Sequence, residues 1–119
     1  MSFKFEKLIV WQKAADLSEK VSELVKKFPK DEMYILSSQF KRAADSISLD
    51  IAEGYTGQSN AEFSRFLGYA LRSDIEVVGC LHLASGRKYI SAEEFQELYN
   101  CCEELLVMIN ALRRTLTRE

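Results

Sequence analysis

Apolar residues recur every three or four positions along almost the whole chain, and no stretch alternates with period two for long. That rhythm puts one apolar stripe on each of a series of helices and leaves little from which to build a sheet. The first segment sets Val10, Ala14, Leu17, Val21, Leu24 and Phe28 on one stripe, which Trp11 and Val25 widen. It must stop near Phe28, because Pro29, the single proline, disfavours helix in the residue before it. The second segment opens at Asp31, a fitting N-cap, and runs to Gly54, expected as a left-handed residue at the helix end. Its stripe is Met33, Leu36, Phe40, Ala43, Ile47 and Ile51.

A third segment starts with the capping box Ser59-Asn60-Ala61-Glu62 and continues through Phe63, Leu67, Ala70, Val77, Leu81 and Ala84. Asp74 interrupts that stripe, and Gly86 ends it. The box recurs as Ser91-Ala92-Glu93-Glu94 ahead of Phe95, Leu98, Cys102, Leu105, Ile109, Leu112 and Leu116. The connections are short, so successive helices must return antiparallel. The expected fold is all-α, one up-down-up-down antiparallel four-helix bundle over residues 1–119, with helices near 8–28, 32–53, 60–85 and 92–117.

The stripes are wider than one bundle needs. Phe66, Tyr69, Leu71, Ile75 and Val78 add to the third helix, and Leu8, Ile9 and Trp11 to the first. Apolar residues on two faces point to a partner surface, and a second copy of the chain is the cheapest partner. Self-association is therefore expected.

The chemistry of a catalytic centre is hard to find. A di-metal carboxylate site in a bundle needs Glu-x-x-His on two helices. His82 is the only histidine, and Gly79 stands three residues before it. No G-x-S-x-G, G-x-x-x-x-G-K-[ST] or G-x-G-x-x-G pattern occurs. Cys80, Cys101 and Cys102 have no C-x-x-C spacing and read as small apolar residues. No enzyme activity, cofactor or metal is expected. No apolar run is long enough for a membrane span, and Met1 to Trp11 lacks a signal-peptide core, so the expected location is cytoplasmic.

Charge is close to balanced, with 16 basic and 18 acidic residues and a net charge of −2. The candidate phosphate contacts, Lys4, Lys7, Lys13, Arg113, Arg114 and Arg118, are scattered over this acidic total, which disfavours nucleic acid as a partner. One polar row stands out. Gln39, Arg42, Ser46, Asp50 and Glu53 share a face of the second helix, and Arg72, Ser73 and Glu76 lie on the third. Folding the two helices together sets Arg42 within reach of Glu76, and Asp45 of Arg72. The row is expected either as an ion-pair network that fixes register or as a groove for a partner.

The string Ser38-Gln39-Phe40-Lys41-Arg42-Ala43-Ala44-Asp45-Ser46-Ile47, followed by Ile51-Ala52-Glu53-Gly54, resembles the signature of the 23S rRNA-intervening-sequence family. The match extends to Leu8 through Ala14, Phe28-Pro29, Glu32, Glu62-Phe63, Phe66-Leu67, Ala70, Ser73 and Glu76. The resemblance implies a small bacterial four-helix bundle that forms homopentamers and has no enzyme activity attached to it. A related branch is similar to the accessory variability protein of diversity-generating retroelements, a basic pentamer that binds nucleic acid and a reverse transcriptase. This chain departs from the pattern at Asp50, where the family commonly has Asn, and at Gly57-Gln58, where a basic residue is common. Both departures lower the local positive potential.

Overall fold

The computed structural model describes residues 3–117. Four helices make up the fold: α1 (Ile9–Leu24), α2 (Leu36–Tyr55), α3 (Asn60–Gly86) and α4 (Ala92–Leu116). Each packs on its neighbours in the chain and α4 closes onto α1, while the diagonal pairs stay apart. This is the antiparallel bundle that the apolar rhythm predicts, 47 Å long and 25 by 22 Å across.

The buried stripes follow the sequence closely. Val10, Ala14, Leu17, Val21 and Leu24 of α1 meet Leu36, Phe40, Ala43, Ile47 and Ile51 of α2 in one core. From α3 come Phe63, Leu67, Ala70, Val77, Leu81 and Ala84, and from α4 Leu98, Cys102, Leu105 and Ile109. Asp74 does not turn away from that core: it stays on the stripe and is only 2% exposed.

Helix ends differ from expectation in four places. α1 stops at Leu24, and a 3-10 turn over Val25–Lys27 completes the run to Phe28. Asp31 is not the N-cap of α2, since residues Lys30–Glu32 form a separate 3-10 turn and α2 begins at Leu36. A tertiary contact holds that turn. The Glu32 carboxylate accepts from Arg87 Nη1 at 3.0 Å and from the Tyr89 hydroxyl at 2.7 Å, tying the start of α2 to the α3–α4 connection. With its stripe position outside the helix, Met33 is 51% exposed.

Gly54 is not left-handed; no glycine among the described residues has a positive φ. It lies inside α2, and its use is proximity, because a Cβ there would sit 2.4 Å from Phe66 Cβ on α3. Gly86 ends α3 as expected, but it does not itself turn the chain. Lys88 does, at φ 64°, with Tyr89 N–H donating to Ala84 O at 2.9 Å and Lys88 N–H to Ser85 O at 3.0 Å. These two bonds form the Schellman pattern that usually carries glycine.

The capping boxes form unequally. Ser91 and Glu94 bond reciprocally at the start of α4. At α3, Ser59 accepts from Glu62 N–H at 3.1 Å, but the Glu62 carboxylate accepts from Gln58 N–H at 2.9 Å instead of from Ser59.

Candidate functional site

The polar row divides into two parts. Gln39 Nε2 donates to Glu76 Oε2 at 3.1 Å, linking α2 to α3 where register was expected to be fixed. The expected Arg42–Glu76 and Asp45–Arg72 pairs do not form among the described residues. Arg42 and Asp45 line a groove between the end of α1 and the start of α2. Ser46 turns its hydroxyl back to the Arg42 carbonyl at 2.8 Å, and Ser73 is half-buried. Asp50 is half-buried too, and its carboxyl is pushed above its ordinary value by desolvation first and by neighbouring Glu53 second.

Arg72 belongs to a different depression of about 330 Å³, which it lines with Arg65, Tyr69, Ile75 and Arg113. Arg65 also lies over the Phe66 ring, 5.8 Å from its centroid, and reaches Glu62 at 3.8 Å. Arg113 packs on Gly68, where a Cβ would meet its guanidinium at 3.4 Å. The remaining candidate phosphate contacts are dispersed. Lys4 and Lys7 are exposed on a 3-10 turn, Arg114 is exposed, and Arg118 lies outside the described residues.

Lys13 is paired instead with Glu104 at 3.2 Å. Lys20 pairs with Glu97 at 3.2 Å, and Lys27 with Glu94. Three lysines spaced seven apart thus face three glutamates of the antiparallel α4. The carboxyl of Glu94 is held below its ordinary value, first by its bond to Lys27 and then by the Ser91 amide.

A buried acid sits at the centre of the bundle. The Asp74 carboxyl stands beside the Cys102 thiol, and its Oδ1 is a buried polar atom without a partner. Burial pushes this carboxyl up to about 7, against an ordinary value of 3.8, and raises the Cys102 thiol as well. Cys80, also buried, is pushed up to about 11 by desolvation. Cys101 is half-buried with Lys20 Nζ 3.7 Å from its sulfur, and His82 is exposed with its ring edge-on to Phe95 at 5.0 Å.

Among the described residues no group of three or more His, Cys, Asp or Glu side chains is placed to hold a metal ion. Nor is any described helix long and apolar enough to cross a membrane.

The decisive comparison is with protein families. The model described as "23S rRNA-intervening sequence protein" matches residues 6–111. The chain belongs to that family. Among solved structures, the fold of this family member is similar to a Bacteroides thetaiotaomicron protein of unknown function from the S23 ribosomal protein family. The likeness has a TM-score of 0.82 at 24% identity and covers 88% of this chain and 98% of that one. No match was found among curated proteins. The family match takes in the groove, the Glu32 contact and Asp74. Of these, the sequence marked Asp74 as the break in an otherwise apolar stripe and Arg42 as part of the polar row, but gave no sign of the bonds that Glu32 makes.

Proposed function

We propose that this 23S rRNA-intervening sequence protein acts as a non-catalytic cytoplasmic scaffold or binding protein built from several copies of itself, five by resemblance to its family. The observation that carries the reading is the outer face of α3. Ile75, Gly79 and Leu83 stand one turn apart there, with Ile75 59% and Leu83 47% exposed. A Cβ built on Gly79 would find nothing within 4 Å.

A glycine in the middle of a helix costs about 1 kcal/mol relative to alanine, and nothing within the single chain requires one here. Between two exposed apolar side chains, it leaves room for a second helix to approach closely. Another copy of the chain is the favoured occupant, because most soluble oligomers are closed assemblies of identical subunits.

Light scattering on the purified chain and on the Ile75→Glu/Leu83→Glu variant tests the reading. The expected result is a multiple of the 13.7 kDa chain mass for the native protein and a smaller mass for the variant, with helix content unchanged. A native protein that scatters as one subunit over the accessible concentration range overturns it.

A nucleic-acid accessory role is the second reading. It draws support from the convergence of Arg65, Arg72 and Arg113 around Tyr69. Retention of RNA or DNA that weakens steeply with added salt would favour it over the scaffold.

A further inference from the structure

We propose that the groove between the end of α1 and the start of α2 binds a nucleotide by its phosphate groups. The groove encloses about 610 Å³, the size of a small-molecule site. Lys26, Lys30, Lys41 and Arg42 line it against a single carboxylate, Asp45. One of the four cations is shared, since Lys26 also pairs with Glu23. This concentration of positive charge stands out in a chain whose net charge is −2.

The backbone adds donors to the same place. The N-cap of α2 is Ile35, which has no side chain able to satisfy the first amides. Leu36 N–H helps to hold the Glu32 carboxyl below its ordinary value, and the helical bonds begin with Gln39 N–H to Ile35 O at 3.1 Å. The amides of Ser37 and Ser38 between them have no partner among the described backbone bonds. Free amides at the positive end of a helix bind anions.

Ser37 supplies the independent indication. Its side chain is 8% exposed, borders the groove, and makes no hydrogen bond among the described residues. Its hydroxyl, left without a protein partner, can bond a ligand seated in the groove.

Bare phosphate would use neither the full volume nor the apolar rim. Tyr34 borders the groove at 88% exposure, and Met33 at 51%. An exposed ring beside an anion site is a platform on which a nucleobase stacks. Phosphate on the Ser37 and Ser38 amides with Lys41 and Arg42, and a base on Tyr34, together use what the groove offers. The assignment is independent of self-association.

Calorimetric titration of the full chain with ADP and with inorganic phosphate, followed in parallel by amide NMR, tests the proposal. ADP is expected to saturate at one per chain, shift the Ser37 and Ser38 amide resonances, and bind more weakly as salt is added. Lys41→Gln/Arg42→Gln, which alters exposed residues, should lower ADP affinity roughly tenfold or more. Lys26→Gln/Lys30→Gln should act in the same direction. Tyr34→Ala should weaken ADP and leave inorganic phosphate unchanged.

Absence of saturable ADP binding, or amide shifts confined to another part of the bundle, overturns the proposal. Equal affinity for ADP and phosphate with no effect of Tyr34→Ala overturns the assignment to nucleotides. A single-stranded oligonucleotide that binds where ADP does not overturns it as well.

Discussion

The α-carbon of Gly54 lies so close to Phe66 that a Cβ added to it would stand 2.4 Å from the Phe66 Cβ. Because both are Cβ positions, no rotamer change relieves the overlap, and the α2 and α3 backbones would have to separate. Gly54→Ala should therefore destabilise the bundle by about 1–3 kcal/mol despite the better helix propensity of alanine. Urea unfolding of the variant checks this, and an unchanged midpoint would contradict the close approach.

Gly79 should behave in the opposite way. Its neighbourhood is open, so Gly79→Ala is expected to stabilise the isolated chain by about 1 kcal/mol. A partner helix seated on that face would meet the added methyl, and the assembled species should then dissociate at higher protein concentration than the native one. Unfolding at low concentration and sedimentation at high concentration separate the two effects.

Lys88 occupies a left-handed conformation at φ 64° while completing the Schellman bonds after α3. Lys88→Gly should stabilise the chain by roughly 1 kcal/mol, the cost of a side chain in that region. Thermal unfolding in parallel with the native chain reads this directly.

Asp74 and Glu32 should give stability opposite dependences on pH. The Asp74 carboxyl is raised from 3.8 to about 7, so the folded protein holds its proton where the unfolded chain has lost it. Its contribution is fully present at acid pH and is lost as pH rises from about 4 to about 7, by roughly 4 kcal/mol. Asp74→Asn should abolish this loss and raise the melting temperature at neutral pH. A pH profile identical to that of the native chain would refute the assignment.

Glu32 is held below its ordinary value of 4.5, chiefly by the Tyr89 hydroxyl and then, against a desolvation that opposes it, by Arg87. Its contribution is complete above that value and is lost as pH falls through the lower folded one. Glu32→Gln should flatten the acid limb of the same profile, read by melting curves at a series of acid pH values.

The core was legible in the sequence because burial in a bundle repeats with the helix itself. Val10, Ala14, Leu17 and Val21 are buried for the same reason that they are spaced by four and three. The start of α2 was not legible. Asp31 and Glu32 have the composition of a helix N-terminus, but Glu32 is drawn away by Arg87 and Tyr89, which are more than fifty residues distant.

The groove was hidden for a related reason. Lys26 and Lys30 lie in a basic stretch, whereas Lys41 and Arg42 lie in an acidic one, and only the return of α2 along α1 brings them together. The expected polar row failed at Arg42 because a face shared on one helix does not decide which neighbour each side chain meets. Asp74 was visible as an interruption, but its burial depends on how the bundle closes around α3.

The lysines at 13, 20 and 27 mesh with α4 like teeth of a ratchet. Each contact is weak on its own, being exposed to water. Sliding α4 one turn in one direction, however, would bring Met108, Cys101 and Leu98 opposite the three ammonium groups and strip the carboxylates from all of them at once. The charged seam thus opposes the same shear as the interior, where that slide would carry Arg113 into the place of buried Ile109.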